Sequence, residues 1–171
     1  KKPSKINLKN NEKFIFCTIH REENTDDEEK LREIVNLFNE LSKDYKILFP
    51  IHPRTFKSIS KLNNTSFSKN ILAINPLSMF ETFWALKYCS CVITDSGGLQ
   101  KEAFFAKKKC ITLREETEWN ELIDMEVNLL LSPFSTKKFS KINKFLNTEP
   151  TFNKKPFGKG NTAKKILSII Y

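Results

Sequence analysis

"CVITDSGGLQKEA", residues 91–103, holds a strand, a turn and the start of a helix in thirteen positions. Cys91-Val92-Ile93-Thr94 reads as a short buried strand, and Leu99, Ala103 and Ala106 recur at helical spacing. Between them stand Asp95, Ser96, Gly97 and Gly98, and the glycine pair takes two of the only four glycines in the chain. Adjacent glycines at such a junction mean either a sharply turned backbone or a group that comes close to the main chain.

The same strand-to-helix step recurs on both sides. Residues 13–19, 46–51, 70–74, 91–94, 110–113 and 128–131 read as short apolar strands. Helical periodicity covers 25–44, with Leu31, Ile34, Val35, Phe38 and Leu41 on one face, and then 78–89 and 99–106. Acidic residues Asp26, Asp27, Glu28 and Glu29 crowd the first turn of the long helix, where the dipole favours them. Short apolar strands alternating with amphipathic helices predict a parallel sheet covered on both faces, an α/β doubly wound, Rossmann-like fold. The predicted core is Phe14, Phe16, Ile34, Phe38, Leu48, Ile74, Phe83, Leu86, Val92, Ile93, Ala103 and Ile111.

Composition narrows the classes. The 171 residues suit one domain, and a hydrophobic content of 39% with 15 phenylalanines argues against disorder. The net charge of +9 suits an anionic partner, but the lysines are scattered and no RNA-binding signature or arginine-rich helix appears, so no nucleic-acid partner is expected. No apolar run is long enough to span a bilayer, and no membrane role is expected. Cys17, Cys89, Cys91 and Cys110 lack a C-x-x-C pair, and only His20 and His52 could join them, so no metal site is expected. Reduced thiols and the absence of a signal-peptide pattern favour the cytoplasm. The polar, basic opening through residue 12 reads as a linker or a truncation point.

In a doubly wound sheet, ligands bind beyond the carboxyl ends of the strands. Four polar clusters follow strand ends: His20-Arg21-Glu22-Glu23-Asn24, His52-Pro53-Arg54, Asp95-Ser96-Gly97-Gly98 and Arg114-Glu115-Glu116-Thr117-Glu118. Ser96, Gly97 and Gly98 would present backbone N–H groups at a helix start, a geometry that binds phosphate and that also serves an ordinary tight turn. Glu102 lies about one and a half turns on, at 3.6 residues per turn, where a carboxylate accepts from sugar hydroxyls. Lys101, one position earlier, is expected to point elsewhere. His20 and Arg21 suit a diphosphate, while His52 before a proline reads as either a ligand or a structural residue.

Taken in order and spacing, "HREENTDD", "FPIHPR", "TDSGGLQKEA", "LREETEW" and "KPFGKGNTAKKI" (155–166) resemble the non-hydrolysing UDP-N-acetylglucosamine 2-epimerases over residues 13 to 170. The pairing of "HREEN" with "DSGG" is specific, because hydrolysing relatives usually carry a serine-rich turn. The resemblance implies the C-terminal, UDP-binding half of a two-domain, glycosyltransferase-B-like enzyme, with residues 13–171 as that domain. It implies interconversion of UDP-GlcNAc and UDP-ManNAc by elimination and re-addition of UDP, as in polysaccharide biosynthesis, with neither cofactor nor metal. The implied partners are UDP, a UDP-HexNAc, the missing N-terminal domain and, at full length, a second copy in a homodimer.

By position in the motifs, Ser96, Gly97 and Gly98 would hold the diphosphate and Glu102 the ribose. Leu77 and Thr82 would meet uracil, and His20 would assist departure of UDP. Arg21 and His52 match residues near a regulatory UDP-GlcNAc site, and Arg114 and Trp119 are further candidate contacts. Two departures stand out. Trp119 replaces the arginine of a common Thr-Glu-Arg-Pro-Glu run, where it could stack on a ring or simply pack. Thr82 stands where an aromatic is common, with Phe83 next to it. The family's acid/base carboxylates belong to the other domain. An epimerase for a UDP-diacetamido-uronic acid and a non-catalytic UDP-binding module are the alternative readings.

Overall fold

Alternation of side chains along each strand splits the apolar residues into two cores. The computed structural model describes residues 2–8, 12–63 and 65–170. In chain order the elements are β1 (Phe14–Thr18), α1 (Glu22–Thr25), α2 (Glu28–Leu41), β2 (Lys46–Pro50), α3 (Pro53–Ile59), β3 (Ile71–Ile74) and α4 (Met79–Tyr88). They continue with β4 (Cys91–Thr94), α5 (Gly97–Phe105), β5 (Lys109–Thr112), α6 (Asn120–Asp124), β6 (Asn128–Leu130), α7 (Lys138–Leu146) and α8 (Thr162–Ile170).

All strand pairs are parallel, in the order β3-β2-β1-β4-β5-β6. The expected doubly wound sheet is therefore present, and the chain reverses its direction of travel between β1 and β4. Ile15 and Cys17 of β1 face one core with Ile34, Leu37 and Phe38 of α2 and Ile142 of α7. Phe14 and Phe16 face the other, with Ala85 and Leu86 of α4 and Leu99 and Ala103 of α5. Part of the leading segment joins that second core: Ile6 and Leu8 are buried in it, and Lys5 pairs with Glu81 at 2.8 Å. All four cysteines are buried and free, and burial pushes their thiols up, Cys89 and Cys110 to about 12.

Local boundaries follow the caps. Within the expected helix 25–44, α2 starts only at Glu28, because the Asp27 side chain accepts from the Lys30 N–H at 2.9 Å, and the short α1 precedes it as a separate turn. Helix α5 begins at Gly97, two residues before the expected start, since Ser96 is its cap and the glycines form its first turn. Ile74 is half-buried at the sheet edge. Phe83 does not belong to the core: it is 51% exposed on the outer face of α4. Among the described residues no helix is long and apolar enough to cross a membrane.

Phe38 is fully buried and meets Phe49 edge to face, with ring centres 5.2 Å apart. Phe38→Ala should cost about 3–5 kcal/mol in denaturant unfolding. Phe83→Ala should stay within about 0.5 kcal/mol of the parent protein.

Candidate functional site

The reversal between β1 and β4 puts the ends of these two strands side by side, and open α/β sheets bind ligands at such a point. Thr18 and Thr94 close the strand pair through their hydroxyls at 2.7 Å. The next residue, Asp95, is fully buried. Its carboxylate accepts from the His20 N–H at 3.0 Å, the Arg21 N–H at 2.9 Å and Asn24 Nδ2 at 3.1 Å. Asn24 also donates to the Leu113 carbonyl at 3.0 Å, which ties the loop after β1 to the end of β5. His20 Nδ1 lies 3.4 Å from the same carboxylate, leaving Nε2 as the available ring nitrogen.

A cavity of about 280 Å³ opens over this junction. Its lining includes His20, His52, Leu77, Thr82, Ser96, Gly98 and Glu102, so seven of the residues singled out in the sequence meet in one place. The His20 and His52 rings stand 5.8 Å apart. His52 is also structural, for its Nδ1 accepts from the Arg54 N–H at the start of α3. Phe83 instead lines a neighbouring hollow between α4 and α5, which Glu102 also borders.

The glycine pair divides into two roles. Neither residue has a positive φ, so turn geometry does not demand glycine at either position. A Cβ on Gly97 would stand 3.1 Å from the Glu118 carboxylate, so this glycine makes room for a protein side chain. A Cβ on Gly98 would meet only Ser96 Oγ at 3.8 Å, with space beyond. Nothing in the described protein requires Gly98, although glycine costs a helix up to about 1 kcal/mol relative to alanine. The N–H groups of Gly97 and Gly98 have no partner among the described residues, as the first turn of a helix dictates. Space over Gly98 and outward N–H groups at a helix start are the geometry that can accept an oxygen-rich anion against the backbone.

Arg21, Arg114, Trp119 and Gly97 do not line the cavity; they gather around Glu118. Arg114, only 5% exposed, donates from Nη1 to both Glu118 oxygens at 2.8 Å and from Nε to Glu23 at 2.9 Å. Arg21 Nη2 reaches the same Glu118 at 3.0 Å. The Trp119 indole N–H donates to the Gly97 carbonyl at 2.8 Å. Lys101 does not line the cavity that Glu102 borders, and its Nζ lies instead 4.5 Å from the centre of the Trp119 ring. Asp95, Asn24 and Glu118 stand within the polar clusters at the strand ends, but the sequence assigns none of them a role. An acid directly after a buried strand is the sequence signal for Asp95; Arg114 stands four residues before Glu118, whereas Arg21 and the partners of Asn24 come from distant loops.

The fold and the motifs converge on one family. The model for UDP-N-acetylglucosamine 2-epimerase matches residues 1–171. The chain belongs to the UDP-N-acetylglucosamine 2-epimerase family. It is 39% identical over 166 residues to a UDP-N-acetylglucosamine 2-epimerase of Methanococcus maripaludis, covering 94% of this chain and 45% of that protein. It is 41% identical over 129 residues to a UDP-2,3-diacetamido-2,3-dideoxy-D-glucuronate 2-epimerase of Pseudomonas aeruginosa, covering 75% of this chain and 36% of that one. The UDP-GlcNAc 2-epimerase of Methanocaldococcus jannaschii, solved with UDP-GlcNAc and UDP, superposes with a TM-score of 0.80 at 34% identity, over 93% of this chain and 45% of its own. The chain thus spans less than half the length of these relatives.

Hydrogen bonds from Arg114 hold the Glu118 carboxyl below its ordinary range, with the charges of Arg114 and Arg21 adding to the effect. A lowered folded value means that the stabilisation is complete above the ordinary glutamate pKa and is lost as pH falls through the lowered one. Glu118 is 45% exposed, so screening limits its share to about 1 kcal/mol or less. Glu118→Gln should therefore lower the melting temperature at neutral pH, and the gap should close on acidification; a gap that widens would contradict the assignment.

Proposed function

We propose that this chain is the nucleotide-binding half of a UDP-sugar 2-epimerase, and that UDP occupies the cavity over the β1–β4 junction. The observation that carries the reading is Gly98: a glycine without a conformational or packing reason, beside unpartnered N–H groups, with Glu102 one helical turn on along the same cavity wall. In this reading the start of α5 holds the diphosphate through the N–H groups of Gly97 and Gly98, the Ser96 hydroxyl and the helix dipole, while the expected third donor, the Ser96 N–H, is bonded to Thr94 Oγ1 at 3.0 Å. Glu102 accepts from the ribose hydroxyls, and Leu77 and Thr82 border the uracil. Thr82 offers a hydroxyl and a methyl group in place of a stacking ring, so base affinity is weaker than an aromatic would give.

The reaction proceeds by elimination. A base removes the C2 proton of UDP-GlcNAc, the C1–O bond breaks, UDP leaves and a C1=C2 double bond forms. Re-addition of UDP to C1 with protonation of C2 from the opposite face gives UDP-ManNAc. His20 stands at the diphosphate end of the cavity and stabilises the charge that develops on the departing UDP. Its backbone is pinned by Asp95, which fixes where the imidazole stands. The carboxylates that serve C2 lie in an upstream half, and the cleft between the halves excludes water from the reaction. Full-length protein forms a homodimer in the cytoplasm. An epimerase for a UDP-diacetamido-uronic acid is the second reading, supported by the likeness to the Pseudomonas aeruginosa enzyme.

UDP should bind the 171-residue chain weakly, on the order of tens to hundreds of micromolar, and raise its melting temperature by mass action. Gly98→Val should abolish that shift while the fold persists; unchanged binding would remove the phosphate from the turn. On UDP-GlcNAc in deuterated water the isolated chain should show neither UDP-ManNAc nor deuterium at C2 by proton NMR. Fusion to the upstream half of a related epimerase should restore both, and His20→Ala in that longer protein should depress turnover by about 10²-fold or more. Deuterium at C2 with the isolated chain would place a base within this half.

A further inference from the structure

The aromatic cluster beside the glycine turn is not used by the nucleotide site as described. Phe104, Leu122 and Val127 form its buried centre, and Trp119, Phe152 and Phe157 pack against it. Phe152 and Phe157 come from the segment that follows α7. The Phe157 ring meets Trp119 edge to face, with centres 5.4 Å apart and planes at 88°, and meets Phe104 at 5.6 Å. Lys101 Nζ lies 4.5 Å from the Trp119 ring centre and 5.3 Å from that of Phe157. From below, the buried Gln100 accepts from the Thr117 hydroxyl at 2.7 Å, and that hydroxyl accepts from the Trp119 N–H at 3.2 Å. Trp119 is therefore held by α5, by its own loop and by the tail.

What it holds in turn is one peptide unit. The Gly97 carbonyl, which accepts from the Trp119 indole at 2.8 Å, and the Gly98 N–H belong to the same planar amide and point in opposite directions. Fixing the carbonyl fixes the donor. The Gly97–Gly98 peptide opens α5 and has no Cβ on either side to restrict it, so the indole adds an outside anchor to the hold of the helix itself. A carbonyl that already accepts a hydrogen bond also polarises its own amide, which strengthens the N–H as a donor.

We propose that Trp119 is a positioning residue for the phosphate turn, acting through the Gly97–Gly98 peptide, and that Phe157 of the tail sets its indole in place. Tail packing and anion binding are then linked: whatever loosens residues 151–158 weakens the hold on the nucleotide, and occupancy of the turn tightens the tail. The proposal rests on the reading that this turn holds the diphosphate of UDP. It gives the tryptophan that departs from the family's common arginine a task of its own.

The test uses the whole 171-residue chain with Trp84→Phe, which leaves Trp119 as the sole tryptophan of the two present. UDP should shift its emission with the same Kd that calorimetry reports. Trp119→Phe, made in the unmodified chain, keeps a ring and removes the N–H; it should weaken UDP binding roughly fivefold to tenfold, the value of one hydrogen bond. Phe157→Leu should weaken it in the same direction, and Trp119→His, which retains a ring N–H, should recover part of the loss. Both weakening variants should speed amide exchange at Gly98 without changing it in α2. UDP affinity and Gly98 exchange unaltered by Trp119→Phe and Phe157→Leu would overturn the positioning role while leaving the nucleotide reading intact. A collapse of melting temperature in both variants would make Trp119 structural only. No UDP binding by the unmodified chain would overturn the nucleotide reading and this role with it.

Discussion

Everything at the rim of the sheet depends on one buried carboxylate. Asp95 has no exposure and ends a strand whose every residue is buried, so its charge is isolated from water. A buried carboxylate is costly unless its lone pairs are met, and here backbone N–H groups of His20 and Arg21 and the amide of Asn24 meet them. The compensation is also the architecture: satisfying Asp95 draws the loop after β1 onto the end of β4. With Asn24 reaching on to the Leu113 carbonyl, three strand ends are fastened together. His20 stands over the cavity because its own N–H is committed beneath it.

From that fastening the turn acquires two unlike faces. Gly97 is small for an internal reason, since Glu118 and the two arginines that grip it occupy the space a side chain would need. Gly98 is small for no internal reason. In the proposed reading the difference separates a packing glycine from a ligand glycine within one dipeptide, and it also separates the candidate residues. Those around the cavity meet substrate in the proposed reading, whereas Arg21, Arg114 and Trp119 govern the shape of the turn.

The fold was legible in the sequence because its signals are local. Six apolar strands and the amphipathic helices lie within one to three residues of their expected limits, and the sheet follows from their alternation. Cap chemistry moved the ends: Asp27 and Ser96 each start a helix where periodicity alone saw continuity or a loop. Phe83 misled because an aromatic at helical spacing looks like core, while α4 turns that position outward beside a cavity. The cavity lining was readable from motif positions. The Glu118 network was not, since Arg21 and Glu118 stand 97 residues apart and only the folded rim brings them together.

That network also explains why a departure from the family pattern need not be a loss. An arginine after Glu118 would have added a third cation around a carboxylate that Arg21 and Arg114 already saturate. Trp119 instead supplies a single neutral donor, directed at the Gly97 carbonyl, and a broad apolar face that Phe157 covers. The positive charge at this place comes from Lys101 above the ring, held by the quadrupole and not by a carboxylate. In this chain the Gly97 carbonyl is thus held by a neutral hydrogen bond from an indole that aromatic packing keeps in place. An anchor of this kind is insensitive to salt and depends on the tail being folded against it, so control of the turn passes from charge to packing.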